Sequence, residues 1–599
     1  MNRGRDVVYH YLRDLGVKYV FGVVGVNEIP LIDGTNVAAN DVTYVPCLHE
    51  NIAVGAAMGY ARAAGVPGVV ILHVTPGAAH GIGNLFNAYR SRIPLVVLCS
   101  QQHSELILQE PILSSDLVRL AGQYTKWAYE VRSADELPIV LQRAFKEALT
   151  PPTRPVFVSV PWDFTLAEMP DVPPRVTKVG RHFTGDRETV RSAAERLATA
   201  RNPVIVAGDG VGSADAWHEL ERLAKLLGAP VWSEFLSSYM NFPNNSYRWQ
   251  GELPGSQEMM QTAFDGHDVA FLCGYNSQAP LLVYKYAKGP LIPAEVSQIY
   301  LHDDTWEIGK NAYGEVAILG DVKATLPLLC EDIAAHPAHD QAQAAARDEQ
   351  LRHLGDQRQR DFASYAEAVR NRPGSETIMG ENVAISLAAL QRRMSAPLLL
   401  SNEAVSDMPW FQAFPLYGDP VSYFNSQGGA LGYSMAASLG LKLAMGRNRT
   451  VVNVVGDGSA LFYPHVWWTA RKFDLPILHV ITNNQAYKTL ELAFEQVKQL
   501  YNFTPSGDTW YLRLHEPPIS FTGLAASFGI AGATVTRLDE LDDRLHEGLK
   551  AVEGGQPFVL DVHTDPSLEA SQPPPRLDTL MASKDTADDR AAHRARFLP

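Results

Sequence analysis

Residues 451–484 read VVNVVGDGSALFYPHVWWTARKFDLPILHVITNN, and this stretch decides the fold of the part of the chain around it. The run at 451–455 is apolar and rich in valine, which predicts a buried strand. The stretch at 460–473 predicts a helix, and the apolar run at 476–482 predicts a second strand. Strand, helix and strand in this order form a βαβ unit, whose parallel strands end at the same edge of a sheet.

Polar residues follow both predicted strands. Gly456-Asp457-Gly458 comes after the first strand and Asn483-Asn484 after the second. Asp457 offers a carboxylate and Asn484 an amide oxygen, which are the hard ligands that Mg²⁺ or Ca²⁺ prefers. Gly456 and Gly458 let the backbone approach a phosphate. Each motif alone is typical of an ordinary turn, whereas the two together indicate a site for a metal-bridged diphosphate.

The composition is that of an ordinary globular protein. Of the 599 residues, 46% are hydrophobic and 20% are charged, and this length predicts roughly three to four domains. The formal charge of -15 and the pI near 5.6 argue against nucleic acid and anionic membranes as partners. No apolar run is long enough to span a membrane. The four cysteines form no Cys-x-x-Cys pair, which argues against zinc sites and disulfides and predicts a cytoplasmic protein.

Alternating helix and strand patterns predict an α/β protein with three doubly wound parallel-sheet domains. We place these domains at residues 1–168, 185–335 and 375–565. The remaining tail, 566–599, is predicted to be either disordered or a lid over a site. Residues 208–212, GDGVG, follow a strand of the second domain but lack the full Gly-x-Gly-x-x-Gly spacing. They therefore predict a tight turn rather than a nucleotide site.

The metal motif resembles the signature of enzymes that use thiamine diphosphate, and two further segments support the resemblance. Residues 44–51, YVPCLHEN, put Glu50 at a strand-to-helix junction, where the family carries the glutamate that activates the cofactor. Residues 428–433, GGALGY, match a turn in which Leu431 keeps the two cofactor rings bent and the carbonyl of Gly429 accepts a bond from the aminopyrimidine. On its own, Glu50 is more typical of an ordinary helix start, where the macrodipole favours an acid.

The resemblance covers nearly the whole chain and implies a pyrimidine-binding, a central and a diphosphate-binding domain, as in the decarboxylase and acetolactate synthase superfamily. It implies Mg²⁺ held by Asp457, Asn484 and the carbonyl of Ala486. It also implies a homodimer or homotetramer, in which Glu50 of one subunit meets Asp457 of another. The cofactor-binding residues that it implies are Gly25, Glu403, Ser406, Gly429, Leu431, Gly456, Gly458, Ser459, Ala460 and Tyr487.

Two segments of the first domain look most like benzoylformate decarboxylase: residues 22–30, GVVGVNEIP, and residues 72–77, LHVTPG. The second segment contains His73, which the resemblance implies as a proton relay. A histidine that caps the end of a strand is the ordinary alternative. Two departures put strict identity of function in doubt. Val26 stands where that enzyme has a serine, and residues 273–280 contain no histidine where that enzyme has its second one.

Other residues are candidates for the missing proton-transfer group. Glu491 and Glu495 lie in a predicted helix beside the metal motif, although exposed helix glutamates without a catalytic role are common. His80 is similar to a position in the 2-hydroxyacyl-CoA lyases, which split a thioester into formyl-CoA and a carbonyl compound. Arg576 in the tail is a candidate to close over such a substrate. The substrate-pocket candidates are Val26, Glu28, His80 and Leu490.

The sequence therefore predicts an enzyme that uses thiamine diphosphate and Mg²⁺ to cleave or form a C–C bond next to a carbonyl of a small molecule. The leading interpretation is decarboxylation and carboligation of a 2-oxo acid, of the benzoylformate decarboxylase type. A 2-hydroxyacyl-CoA lyase is second. An acetolactate synthase-like carboligase is third, since no fingerprint for flavin is present. A binding protein without catalysis and a nicotinamide-dependent oxidoreductase are the alternatives from other classes.

Overall fold

A computed structural model describes most of the chain, namely residues 2–37, 41–170, 175–276, 289–370 and 377–567. Beyond Ser567, the predicted tail with Arg576 lies outside the described residues, and so does the part of the 273–280 segment that follows Asn276. Within the described residues, no helix is both long enough and apolar enough to cross a membrane. Three six-stranded parallel sheets confirm the predicted fold class, whereas the exact domain boundaries stay predictions.

The first domain is a parallel sheet between two layers of helices. Its elements are β1 (Asn2–Arg3), α1 (Gly4–Asp14), β2 (Tyr19–Gly22), α2 (Ile29–Val37), β3 (Thr43–Pro46), α3 (Glu50–Ala64), β4 (Gly68–His73), α4 (Val74–Arg90), β5 (Leu95–Gln101), α5 (Leu117–Ala121), β6 (Trp127–Glu130), α6 (Leu137–Leu149), β7 (Val156–Pro161), α7 (Trp162–Leu166) and β8 (Glu168–Met169). The strand order is β3-β2-β4-β5-β7-β6, with β1 and β8 paired separately. The central strands are buried on both faces, which explains their continuous apolar sequences.

The central domain has the same architecture. Its elements are α8 (Arg187–Ala198), β9 (Pro203–Ala207), α9 (Asp209–Ser213), α10 (Trp217–Leu227), β10 (Val231–Ser233), β11 (Trp249–Glu252), α11 (Gln257–Thr262), β12 (Val269–Cys273), β13 (Ser297–His302), β14 (Val316–Leu319) and α12 (Val322–Ala335). The strand order is β11-β10-β9-β12-β13-β14. A Cβ on Gly208 would lie 2.2 Å from the carbonyl oxygen of Gly274, and one on Gly210 would lie 2.6 Å from the Cα of Gly274. These glycines therefore let two backbone segments pack directly together.

One long helix, α13 (Gln341–Arg370), leads from the central domain towards the third domain. It packs on the central domain through a buried carboxylate. Asp348 accepts hydrogen bonds from Nε of Arg248 and from the hydroxyl of Tyr247, each at 2.8 Å. The connection is therefore anchored to the central domain by polar contacts.

The third domain contains the motif that opened the sequence. Its elements are α14 (Gly380–Gln391), β15 (Leu398–Glu403), α15 (Met408–Ala413), β16 (Tyr423–Phe424), α16 (Tyr433–Met445), β17 (Thr450–Gly456), α17 (Asp457–Ala460), α18 (Val466–Lys472), β18 (Ile477–Asn483), α19 (Lys488–Tyr501), α20 (Phe521–Ser527), β19 (Ala531–Val535), α21 (Leu538–Glu553) and β20 (Phe558–His563). The strand order is β16-β15-β17-β18-β20-β19. Both predicted strands of the βαβ unit are present as β17 and β18.

The helical part of that βαβ unit differs from the prediction. The prediction of a single helix over 460–473 is wrong, because α17 ends at Ala460 and α18 begins at Val466. Pro464 lies between them, and proline lacks the backbone N–H that a helix interior requires. The break leaves residues 461–465 as a turn between the two helices.

Helices α3 and α16 join the first and third domains at very close range. A Cβ on Gly440 would lie 1.8 Å from the carbonyl oxygen of Ala56, and one on Gly59 would lie 2.0 Å from the carbonyl oxygen of Ala437. Only glycine fits at such separations, so the two helices meet backbone to backbone. The first residue of α3 is Glu50, and α16 follows the turn that contains Leu431. The two domains thus hold these segments in a fixed relation.

Candidate active site

The Gly-Asp-Gly and Asn-Asn motifs lie side by side at one edge of the third sheet. Strands β17 and β18 are parallel, and Gly456 pairs with Thr482 in their register. The residues that follow each strand therefore emerge next to one another. A cleft beside Asp457 is lined by Leu461, Asn483, Gln485, Leu514, Ile519 and Phe521.

Asp457 has the properties of a metal ligand. Its side chain is buried, Oδ1 accepts a hydrogen bond of 2.8 Å from the backbone N–H of Gly458, and Oδ2 has no hydrogen-bond partner among the described residues. Burial raises the pKa of this carboxyl to about 7, and the nearby charge of Asp561 adds to the effect. An anionic carboxylate is costly in such a place unless a cation binds it. A divalent cation therefore fits this residue.

The neighbouring oxygens complete a set of candidate metal ligands. Asn484 is buried, and its Oδ1 lies 3.1 Å from the backbone nitrogen of Ala486, from which it accepts a hydrogen bond. Gln485 between them has a positive φ of 60°, which bends the chain sharply after β18. Asn483 donates to Asp561 at 2.9 Å and so anchors the bend to the adjacent strand. The carboxylate and amide chemistry matches what Mg²⁺ favours.

The backbone around the motif leaves room for a phosphate on one side. A Cβ on Gly456 would have no atom nearer than 4.0 Å, whereas one on Gly458 would lie 2.7 Å from the ring of Tyr487. Tyr487 therefore packs over Gly458, while Gly456 faces open space. Ser459 and Ala460 are buried in the first turn after the strand. This cradle fits a diphosphate held by backbone N–H groups.

Glu403 forms hydrogen bonds with the backbone at the end of the turn that contains Leu431. It is fully buried at the end of β15, and its two oxygens accept hydrogen bonds from the backbone N–H groups of Gly432 at 2.6 Å and Ser434 at 2.9 Å. Desolvation raises the pKa of the Glu403 carboxyl to about 7. Gly429 and Gly432 have φ values of 77° and 85°, in the left-handed region that favours glycine. Glu403 therefore shapes the turn that presents Leu431, which is half-buried.

Glu50 begins α3 and is nearly buried. His49 caps the helix, because its Nδ1 accepts a hydrogen bond of 3.0 Å from the backbone N–H of Asn51. Oε2 of Glu50 lies 3.2 Å from Nδ1 of His80, and a Cβ on Gly77 would lie 3.3 Å from Oε1. His80, predicted as a pocket residue, thus contacts the predicted activating carboxylate directly.

His73 ends β4 and is held by a buried acid. Its Nδ1 lies 2.7 Å from Oε2 of Glu28, which is wholly buried. Desolvation raises the pKa of Glu28, and His73 opposes this rise. A Cβ on Gly25 would lie 2.2 Å from Nδ1 of His73, so Gly25 makes room for the imidazole. Glu28 is therefore buried against His73 and does not lie on a pocket surface. Val26, another predicted pocket residue, is 78% exposed.

The remaining candidates lie on or beside α19. Glu491 is in the first turn of this helix and half-buried, and Leu490 is half-exposed. Glu495, one turn later, forms an ion pair with Lys498. Ser406 contacts the same helix, since its Oγ lies 2.9 Å from Oγ1 of Thr489.

A set of buried asparagines that the sequence reasoning missed links the first and third domains of the chain. Asn51 accepts from the backbone N–H of Asn84 at 2.6 Å and donates to the hydroxyl of Tyr463 at 2.7 Å. Asn87 donates to Asn84 at 2.7 Å and exchanges hydrogen bonds with the backbone of Ala430 at 2.9 and 3.0 Å. The available signal was a pair of asparagines three residues apart, which places them on one face of α4.

The chain matches three family models in sequence order. They describe the thiamine pyrophosphate enzyme N-terminal TPP binding domain over residues 2–118, its central domain over residues 190–329 and its C-terminal TPP binding domain over residues 406–562. The chain therefore belongs to the thiamine pyrophosphate enzymes. Thiamine diphosphate, the same compound, is its cofactor, which confirms the predicted cofactor and enzyme class.

Individual relatives and a solved structure are similar to this chain over nearly its whole length. Benzoylformate decarboxylase of Pseudomonas aeruginosa is 30% identical over 562 residues, which cover 93% of this chain and 98% of the relative. The large subunit of acetolactate synthase isozyme 3 of Escherichia coli is 27% identical, with 95% and 96% covered. Among solved structures, 4-hydroxybenzoylformate decarboxylase of Rhodococcus jostii RHA1 has a TM-score of 0.79 at 26% identity, with 94% of this chain and 100% of that chain covered.

Proposed function

We propose that this enzyme decarboxylates a small 2-oxo acid and ligates the resulting carbonyl product to an aldehyde, with thiamine diphosphate and Mg²⁺ as cofactors. The observation that carries the proposal is the pair of His73 and buried Glu28, in the same domain as Glu50. Decarboxylation requires a proton donor at the substrate in addition to the carboxylate that activates the cofactor. The names of relatives such as benzoylformate decarboxylase support the same reaction class.

The third domain would hold the polar end of the cofactor. Asp457, Asn484 and the carbonyl of Ala486 would bind Mg²⁺, and the turn from Gly456 to Ala460 would bind the diphosphate. Support comes from the unpartnered, buried Oδ2 of Asp457 and from the open space at Gly456. Leu431 would lie under the rings, and the Gly429 carbonyl would accept from the aminopyrimidine.

Thiamine diphosphate, when bound, supplies a carbanion that adds to the substrate carbonyl and an electron sink for the bond that breaks. Glu50 would give a proton to the aminopyrimidine during activation and take it back afterwards. His73 would give a proton to the carbonyl oxygen of the substrate and take it back later. Glu28 would fix the imidazole orientation, as a buried acid does for a catalytic histidine.

The substrate pocket would have apolar walls. Val26 and Leu490 are both exposed apolar side chains, and they favour an apolar group on the 2-oxo acid. As the additional acid or base we favour Glu491 over Glu495, because the carboxylate of Glu495 already pairs with Lys498. No described contact favours a 2-hydroxyacyl-CoA lyase, since the contact between His80 and Glu50 accounts for His80 without a thioester.

We also propose a homodimer or homotetramer with active sites between subunits, in the cytoplasm. The family resemblance supports the assembly. All four cysteines are free and buried, as expected in a reducing compartment.

A substrate screen tests the reaction. The protein is reconstituted with thiamine diphosphate and Mg²⁺. One arm follows CO₂ release from aliphatic and aromatic 2-oxo acids, and the other follows cleavage of 2-hydroxyacyl-CoA thioesters by mass spectrometry. We expect activity in the first arm. Activity in the second arm alone would replace the proposal with a thioester lyase.

Two variants test the residue assignments. Glu50→Gln should lower kcat about 10²- to 10⁴-fold while the cofactor still binds. Asp457→Ala should abolish Mg²⁺-dependent cofactor binding, measured by fluorescence titration. Near-normal kcat in the first variant, or unchanged affinity in the second, would contradict the corresponding assignment.

A further inference from the structure

The carboxylate of Glu50 has unequal surroundings on its two oxygens. Oε1 faces Gly77, where even a methyl group would come within 3.3 Å, and Oε2 lies 3.2 Å from Nδ1 of His80. Gly77 and His80 are one turn apart on α4 and therefore share a face of that helix. The first turns of α4 thus cover Glu50 with one small residue and one imidazole.

The imidazole of His80 lies between this carboxylate and the surface of the single chain. The side chain of Glu50 is 11% exposed, whereas that of His80 is 57% exposed. A buried acid that must take up and release protons needs a partner that water reaches. An imidazole can accept a proton on one nitrogen and release another from the second.

The other ionisable groups nearby are less suited to this task. His49 stacks on His80 with ring centroids 5.2 Å apart, and its Nδ1 accepts from the Asn51 N–H. Burial lowers the pKa of His49, which keeps it neutral. From the third domain, Tyr463 and His465 approach the ring of His49, at centroid distances of 5.1 and 5.9 Å.

The same geometry argues against a metal at this place. His49, Glu50 and His80 present possible ligand atoms within 4.8 Å of one another. The Asn51 N–H already uses the lone pair of Nδ1 on His49. Binding through the other nitrogen would require a proton on Nδ1, which would then face that N–H. The cluster is therefore better arranged for proton transfer than for a metal.

We propose that His80 is the proton relay between Glu50 and bulk water; this rests on the proposed function of Glu50. The carboxyl proton of Glu50 passes from Oε2 to Nδ1 of His80, and a proton leaves Nε2 for water. The imidazole returns to its first tautomer through exchange with water, and the reverse sequence reprotonates Glu50. No electrons are transferred, and water is the only co-reactant. His80 acts through Glu50 and does not itself contact the reacting atoms.

Hydrogen exchange at C2 of bound thiamine diphosphate tests the relay. The holoenzyme is mixed with D₂O and quenched in acid, and the remaining C2 proton is measured by NMR. His80→Ala should slow the exchange about tenfold or more, and added imidazole should restore it, as a purely structural defect would not allow. His80→Gln, which keeps the side-chain size, should be equally slow. Cofactor affinity, measured by fluorescence titration, should not change.

A matched control and a double variant distinguish failure of the His80 relay from failure of the role proposed for Glu50. His103 lies 3.9 Å from Asp163 in the same domain, so His103→Ala removes a comparable histidine and should leave exchange unchanged. His80→Ala in a Glu50→Gln background should add no further loss, because both residues serve one path. Wild-type exchange in both His80 variants, additive losses or absence of imidazole rescue would overturn the relay. Wild-type exchange in Glu50→Gln would instead overturn the role of Glu50.

Discussion

Glycines determine how closely the side chains of the candidate active site can approach the backbone. Gly25 gives space to the imidazole of His73, and Gly77 gives space to the carboxylate of Glu50. Neither glycine has a positive φ, so their function is to leave volume free rather than to permit an unusual backbone. A methyl group on Gly25 would press on His73, and one on Gly77 would press on Glu50.

Gly25→Ala should separate His73 from Glu28, because the added Cβ would lie 2.2 Å from the imidazole. We expect kcat for decarboxylation to fall about tenfold or more, in keeping with loss of positioned acid–base catalysis. Steady-state kinetics measure the change. Gly180→Ala is the control, since no atom lies within 4 Å of its Cβ position; equal kinetics in both variants would refute the argument.

At the level of elements, β18 carries a buried histidine in addition to the Asn483-Asn484 motif at its end. His479 is fully buried, its Nδ1 lies 3.0 Å from Oδ1 of Asn453, and its Nε2 has no partner among the described residues. Desolvation lowers the pKa of His479 to about 3. In the unfolded chain, the imidazole of His479 takes up a proton at a higher pH than it does in the folded protein. The stability that neutral, buried His479 contributes is therefore complete above about pH 6.5. It is lost as the pH falls towards 3.

His479→Gln should therefore reduce the acid sensitivity of folding. Between pH 6 and pH 4, the wild type should lose about 1.4 kcal/mol more per pH unit than this variant. Urea unfolding at several pH values, followed by circular dichroism, gives the free energies. His353→Gln is the control, because His353 is 77% exposed. Parallel pH profiles for wild type and His479→Gln would show that the argument is wrong.

The contact between α3 and α16 leads to a second prediction at this scale. Gly440→Ala should lower the free energy of unfolding by about 1–3 kcal/mol or more, because overpacked sites strain their surroundings and the Cβ would lie 1.8 Å from a backbone oxygen. Thermal unfolding measures the change. Gly122→Ala, at a position with open space, should have little effect. Equal stability of the two variants would mean that the helices separate without cost.

The sequence predicted β17 and β18 because buried parallel strands are continuously apolar. It did not predict the break between α17 and α18, since the stretch around Pro464 is otherwise apolar and helix-like. The contacts from Glu50 to His80 and from His73 to Glu28 each join two elements, so no local pattern reveals them. The asparagines at 51, 84 and 87 were visible in the sequence, but their partners depend on tertiary packing.

In the whole molecule, a buried polar cluster joins all three domains. Glu234 of the central domain accepts hydrogen bonds from the side chains of Asn276 and of Gln427 in the third domain, each at 2.9 Å. Arg62 of the first domain donates to the carbonyl of Ser238 at 2.9 Å and stacks on Tyr239. The three domains of one chain are thus joined by buried polar contacts as well as by α3 and α16.

Mixing two inactive variants tests whether a complete site needs two chains. If Glu50 comes from one subunit and Asp457 from the other, a dimer of Glu50→Gln with Asp457→Ala contains one intact site. Random reassociation should then restore about one quarter of the wild-type activity per chain. Activity is measured after the variants are unfolded and refolded together, and separately refolded variants are the control. No recovery, with mixed dimers detected by native mass spectrometry, would place each site within one chain.

The joint between α3 and α16 also has a consequence for synthesis. The ribosome makes α16 roughly 370 residues after the end of α3. At a synthesis rate of about 5–20 residues per second, roughly 20–70 s pass between synthesis of α3 and synthesis of α16. Until then, the glycine- and alanine-rich face of α3 lacks the helix on which it packs. During that time the nascent first domain exposes an apolar strip that the finished protein hides. The nascent chain should therefore stop depending on chaperones once α16 has left the ribosomal exit tunnel.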